Sequence, residues 1–306
     1  MDAEMTRWLL QYFMQGMMPY PWSRVGTEIE TQFVNDTDGQ PISIATSQAI
    51  LRRLGNIPGW RTEYSGSKVV KVIGPKGETV LYELGRSNLE VSASPTSPGR
   101  VVREIRTVLE QLYAAAGENK AQPLFQPIIQ VPDPTELLVL PDDRDANFAQ
   151  LDGVNALAPL CTCSAVQFVV DVSPSRAIAA LNGLGAHLPF FLAQYPQEAI
   201  WRRYVAEAAA GYDPLRYGGP TGFEDIVHYC EELSEHRVIR GTTLVPFAEV
   251  KEKMTSEGLT LFLRSVWWYF RLRRYGPQLC VEVRPLPRLS DHDLQNQLDF
   301  VLAIMG

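Results

Sequence analysis

The sequence predicts an α+β protein built around a mostly antiparallel sheet. Four short runs rich in β-branched and aromatic residues follow one another between residues 60 and 95, split by turn signals at hairpin distance. Further strand-like runs occur near the start, in the middle and near the end, with helical patterns between them. Acidic and basic side chains also stand inside those strand runs at spacings that place them on one face.

The N-terminal segment 1–22 (MDAEMTRWLLQYFMQGMMPYPW) reads as an amphipathic first helix. Asp2 and Glu4 precede its apolar stretch and no small-residue cleavage site follows, so a signal peptide is not expected. Residues 24–34 read as a strand, with Val25, Ile29 and Val34 among polar residues. Residues 46–55 read as a short helix ended by Gly55. The runs TEYSG, KVVKVIG, TVLYELG and NLEVSAS form a strand ladder, broken at Ser65–Gly66 and at Pro75–Lys76–Gly77. Residues 98–116 read as a helix opened by Pro98.

Residues 117–160, rich in Pro and Asp, carry no clear period. The run 163–173 (CSAVQFVVDVS) is the most strand-like of the chain, and 174–258 reads as mostly helical. WWYFRLRR, YGP and QLCVEVRPLP read as strand, turn and strand, and 290–304 as a closing helix with Ser290 as N-cap. There is no internal repeat and no linker, so residues 1–306 are expected to form a single domain.

With 306 residues, 45% hydrophobic and 21% charged, the chain has the make-up of a globular protein with a full core. Its formal net charge of −7 argues against nucleic acid as the main partner. No apolar run approaches the ~20 residues that span a bilayer. Four cysteines in a chain of this length do not make a disulfide scaffold, so a reduced, cytoplasmic protein is expected.

Glu28 and Glu30 lie two apart on the first strand and so share a face. Glu282 and Arg284 repeat the arrangement near the end, with Val281 and Val283 turned the other way. Glu83 and Glu90 sit in similar strand settings. One carboxylate in a strand can simply face water. Several on separate strands repel unless cations lie among them, and Mg²⁺ takes oxygen ligands of this kind and bridges them to substrate phosphates. Arg271 and Arg273 alternate along RLRR and share a face, where they can hold phosphate or carboxylate oxygens, although a solvated basic strand end accounts for them equally well.

These residues resemble the motifs of the glutamate–cysteine ligase family, including its plant-type and carboxylate–amine ligase relatives. GTEIETQFV resembles the family's GxExE first strand, and YELGRSNLEVSASP its second acidic block. TCSAVQFVVDVS is similar to its central strand, with Gln167 where the plant-type branch also has Gln. RSVWWYFRLRRYGPQLCVEVRPLP resembles its terminal aromatic–Arg and Glu-x-Arg strands. The blocks stand in the family's order and span residues 25–287.

The resemblance implies a glutamine-synthetase-like catalytic fold, a curved sheet with helices on one face and ATP and Mg²⁺ on the other. It implies Glu28, Glu30, Glu83, Glu90 and Glu282 as metal ligands, and Gln167 near the metal–phosphate cluster. Arg271, Arg273 and Arg284 would meet the nucleotide or the acyl phosphate. The implied reaction joins a carboxylate, such as an amino acid, to an amine through an acyl phosphate. Glu28→Gln or Glu282→Gln would then abolish activity with little loss of stability. The chain departs from the family in its short length, in Val169 two residues after Gln167, and in PLPRLSD after Arg284. These departures bear on the amino acid substrate more than on the ATP chemistry.

Two other functions fit the same motifs: a kinase acting on a guanidine or amine, and a nucleotide-binding protein without turnover. Neither they nor the ligase fixes the oligomeric state, and a homo-oligomer is compatible with all three. Cys161 and Cys163 have the wrong spacing for a zinc pair. His187, His228, His236 and His292 form no HExxH or triad signature. Gly218–Gly219–Pro220–Thr221–Gly222 reads as a loop, either an ordinary connection or a flap over substrate. Trp267, Trp268 and Tyr269 are expected in the core at alternate positions, with one of them lining a pocket.

Overall fold

In a computed structural model the described residues are 3–19, 23–140, 143–208, 216–240, 243–246, 249, 259 and 262–306. A nine-stranded antiparallel sheet forms the centre. Its strands are β1 (Val25–Asn35), β2 (Arg61–Ser65), β3 (Lys68–Ile73), β4 (Thr79–Tyr82), β5 (Asn88–Thr96), β6 (Ala121–Leu124), β7 (Ala165–Val172), β12 (Phe270–Tyr275) and β13 (Gln278–Pro287). The order is β12-β13-β7-β1-β5-β4-β3-β2, and β6 pairs with the end of β1. The ladder expected between residues 60 and 95 is β2 to β5, joined by hairpins as the turn residues dictate. Short strands β8 (Tyr217–Gly218) and β11 (Trp267–Trp268) pair in parallel, while β9 (Arg237–Arg240) and β10 (Thr243–Pro246) form a separate hairpin.

Register decides which residues share a face. Leu272, Val281, Val170 and Val25 line up across β12, β13, β7 and β1. Ile29, Val91, Val80 and Val72 do the same across β1, β5, β4 and β3. All eight are buried. Burying them removes apolar area worth about 1.5–3 kcal/mol for each large side chain. Helices α1 (Ala3–Met14), α2 (Ile44–Gly55), α3 (Pro98–Glu118) and α6 (Ala177–Ala186) contact these strands, and α10 (Asp293–Met305) rests on α3 and α6. A continuous apolar cluster runs from Met5 to Val301.

Several sequence expectations need revision. Helices are not confined to the apolar side: α4 (Asp143–Asp152), α5 (Val154–Leu157) and α8 (Glu198–Glu207) lie over the polar face. The aperiodic stretch 117–160 holds β6, α4 and α5. Within 174–258, α6, α7 (Leu188–Ala193), α8 and α9 (Ile226–Ser234) are joined by β8, β9 and β10, and residues 250–258 lie outside the described residues. Ser290 does not cap the last helix. Its hydroxyl donates to the Asp293 carboxylate at 2.7 Å, and His292 takes the cap position. The first helix ends at Met14, with residues 20–22 outside the described set. Among the described residues no helix is long and apolar enough to cross a membrane.

Candidate functional site

The second face of the sheet is polar along almost its whole width. Arg271 on β12 lies opposite Glu282 on β13, which lies opposite Val169 on β7. Gln167 on β7 pairs with Glu28 on β1. Glu30 on β1 pairs with Glu90 on β5, followed by Leu81 on β4, Lys71 on β3 and Glu63 on β2. This row forms the floor of a cavity of about 400 Å³, and all nine residues singled out in the sequence line it. Val169 leaves a gap in the row, between Glu282 and Gly26.

The two ends differ in charge. At the basic end Arg271 grips Glu282 with two parallel bonds, Nε to Oε2 at 2.6 Å and Nη2 to Oε1 at 2.9 Å. Arg284 Nη1 donates to the same Oε1 at 2.8 Å, and Arg273 Nη1 lies 3.5 Å from Oε2. Burial would raise the Glu282 carboxyl, but the three guanidiniums hold it well below the usual carboxylate range. Burial brings the Arg271 guanidinium down to about 10, against the opposing pull of Glu282, so it stays charged at neutral pH.

These bonds bear on the roles expected of two residues. Glu282, expected as a metal ligand, has both oxygens hydrogen-bonded to arginines. Arg271, which also lines the cavity, gives its Nη1 hydrogens to the carbonyls of Leu263 and Val266 and holds Glu282 in place. Three cations against one carboxylate leave a positive excess, carried toward the cavity by Arg273 and Arg284.

At the acidic end Glu28, Glu30, Glu83 and Glu90 gather on β1, β5 and the turn after β4. Glu30 is buried, with Oε2 accepting the Ala165 N–H at 2.9 Å and Oε1 accepting Gln167 Nε2 at 3.1 Å. Desolvation, with the nearby charge of Glu83, pushes its carboxyl up to about 8. Desolvation also raises Glu90 well above its ordinary value, with Glu28, Glu83 and Glu30 adding to it. Glu28 rises through desolvation and the charge of Glu282, opposed by Arg284, Arg273 and Arg271. Glu28 and Glu83 accept no hydrogen bond from any described residue, and Glu90 accepts one from Ser92 at 2.9 Å. Gln167 bridges the two ends, since its Oε1 accepts Arg284 Nη1 at 2.7 Å while its amide holds Glu30.

Oxygen-only donors under mutual repulsion suit a hard cation such as Mg²⁺ in kind. Among the described residues no three His, Cys, Asp or Glu side chains come close enough together to hold one metal ion by themselves. Mg²⁺ commonly binds through one or two carboxylates, completed by water and substrate phosphate. One or two of Glu28, Glu83 and Glu90 could serve in that mode, whereas Glu30 and Glu282 are hydrogen-bonded to protein groups.

The facing wall is largely aromatic, with Phe148 of α4, Trp201 of α8 and Trp267 of β11, joined by Leu157 of α5. Trp201 stacks on Tyr217 at 5.1 Å, and Trp267 packs on both Trp201 and Phe148. Trp267 is thus the member of the Trp267–Tyr269 trio that lines the pocket, while Trp268 is fully buried. Gly218 and Gly219 are pinned rather than free: β8 pairs with β11, and a Cβ on Gly219 would stand 2.3 Å from Trp268 Cγ. Tyr195, Trp201, Asp145, Arg264 and Lys71 escaped sequence reading. The helical ones sit in segments whose periodicity says nothing about the cavity, but Lys71 was signalled by its alternation with the buried Val72.

No family model and no curated protein sequence matches the chain. Solved structures do share its fold. Glutamate–cysteine ligase from Francisella tularensis, in complex with AMP, superposes with a TM-score of 0.52 at 12% identity, covering 92% of this chain and 66% of that one. A bifunctional glutathione synthetase from Pasteurella multocida gives 0.50 at 13% identity, covering 99% of this chain and 40% of the other. The chain spans less than two thirds of the length of either protein. The α+β fold expected from the sequence motifs is the fold found.

Proposed function

We propose that the chain is an ATP-dependent carboxylate–amine ligase that forms an amide bond through an acyl phosphate. The observation that carries this reading is the single cavity floor with a basic end and an acidic end, assembled from strands distant in sequence. The sequence motifs and the fold shared with proteins described as a glutamate–cysteine ligase and a glutathione synthetase support it, as does the AMP bound by the former.

Arg273 and Arg284, both part-exposed in the cavity, draw phosphate oxygens to the basic end. Arg271 and Glu282 fix the direction of those guanidiniums, and Gln167 fixes Arg284 relative to Glu30. One or two of Glu28, Glu83 and Glu90 would hold Mg²⁺, which would supply charge neutralisation between carboxylates and phosphates. The aromatic wall of Phe148, Trp201 and Trp267 faces the floor, and keeping water from that side would protect an acyl phosphate from hydrolysis until an amine arrives.

The test is a screen of amino acid pairs with ATP and Mg²⁺, reading ADP and free phosphate. Release of both, dependent on an acid and an amine together, supports ligation. ADP without free phosphate would indicate phosphoryl transfer to the substrate, and no release with any mixture would sink the reading.

A further inference from the structure

Tyr195 lies between α7 and α8, is 6% exposed, and lines the cavity. Its hydroxyl makes no hydrogen bond with any described residue. The hydroxyl is not one of the orphaned buried polar atoms of the core; it opens on the cavity, where an entering ligand would meet it. Arg284 stands beside it, and the two also line a small space of about 10 Å³ between Trp201, Tyr217, Tyr269 and Pro285. Arg284 commits its Nη1 to Gln167 and Glu282, while its Nε and Nη2 donate to no described group. One phenol O–H and several guanidinium N–H donors therefore remain unspent in one corner of the cavity. That combination suits an oxygen bearing negative charge.

We propose that Tyr195 is a substrate-contacting residue that, together with Arg284, binds an anionic oxygen of a carboxylate or phosphoryl group. The inference rests on the reading of this cavity as the substrate site. It is tested without nucleotide or turnover, so an empty ligase screen leaves the result standing on its own.

The experiment compares the wild-type chain with Tyr195→Phe. It measures the melting temperature of each without ligand, then the affinity of each for inorganic phosphate and, separately, for succinate. The variant is expected to melt at or above the wild-type temperature and to bind phosphate, succinate or both about tenfold more weakly. A loss confined to phosphate assigns the contact to a phosphoryl oxygen, and one confined to succinate assigns it to a carboxylate. Unchanged affinity for both anions overturns the proposal. So does a wild-type protein that binds neither, or a ligand-free variant that melts several degrees lower, which would make the hydroxyl structural.

Discussion

Arg271 and Glu282 face each other across β12 and β13 in a two-bond fork, and both side chains are almost wholly buried, at 6% and 4% exposure. Removing one partner of a buried charge pair costs about 3–5 kcal/mol, because the remaining charge cannot recover its water. Glu282→Gln would strand three guanidiniums without their anion. We expect a loss of that order in urea titration together with loss of turnover, whereas the strand pattern alone suggested a stability-neutral change. A variant as stable as wild type would show that the guanidiniums find other anions or water.

The acidic end predicts the pH dependence of stability. The Glu30 carboxyl is raised to about 8 in the folded chain, from an ordinary value of 4.5. The folded state therefore holds a proton that the unfolded state releases. That contribution is fully present below 4.5 and is lost as pH climbs through about 8. The ligand-free protein should melt lower at pH 8 than at pH 5.5, by roughly 1.5 °C for each kcal/mol lost. Glu30→Gln should flatten this slope, and added Mg²⁺ should too if the cation seats among Glu28, Glu83 and Glu90. A melting temperature that is flat or rises across this range would contradict the arrangement.

Glu28 offers the complementary test. It accepts no hydrogen bond from a described residue, and its carboxyl is already raised by desolvation and by Glu282. Glu28→Gln keeps the shape and removes a repelled charge, so the folded chain should be as stable as wild type or more so. Turnover should fall at least about 100-fold, the scale on which a lost electrostatic contact to a reacting group is felt. Rates of ADP release across a Mg²⁺ titration check this. Near-normal turnover would take Glu28 out of the site.

How far the sequence reached follows from what each kind of signal can encode. Alternation by two along TEIETQ and CVEVR fixed which side of the sheet Glu28, Glu30, Glu282 and Arg284 occupy, and the structure places them on one cavity floor. Alternation carries no information about partners. It could not show that Glu282 is consumed by Arg271 and Arg284, nor that Glu30 is held by Ala165 and Gln167. The roof was illegible for a different reason. Phe148, Tyr195 and Trp201 sit on or beside short helices, where aromatic residues look the same whether they face a core or a cavity.

Gly219 supplies the last prediction, because the loop reading of Gly218–Gly222 gave two outcomes and the structure gives a third. Its φ is +71°, and an added Cβ would stand 2.3 Å from Trp268 Cγ. The indole cannot retreat. It is fully buried, its Nε1 donates to His236 Nε2 at 3.1 Å, and it packs on Phe223 and Tyr229. Gly219→Ala therefore combines backbone strain with overpacking, each worth about 1–3 kcal/mol. Trp267, the next residue along β11, is part of the cavity wall, so displacement of Trp268 should also change Trp267. The measurement is urea unfolding followed by tryptophan fluorescence, with Gly222→Ala as the control, since a Cβ there meets nothing within 4 Å. We expect Gly219→Ala to unfold at clearly lower urea with an altered native emission spectrum, and Gly222→Ala to match wild type. Equal behaviour of the two variants would mean that the segment moves freely, and the flap reading would return.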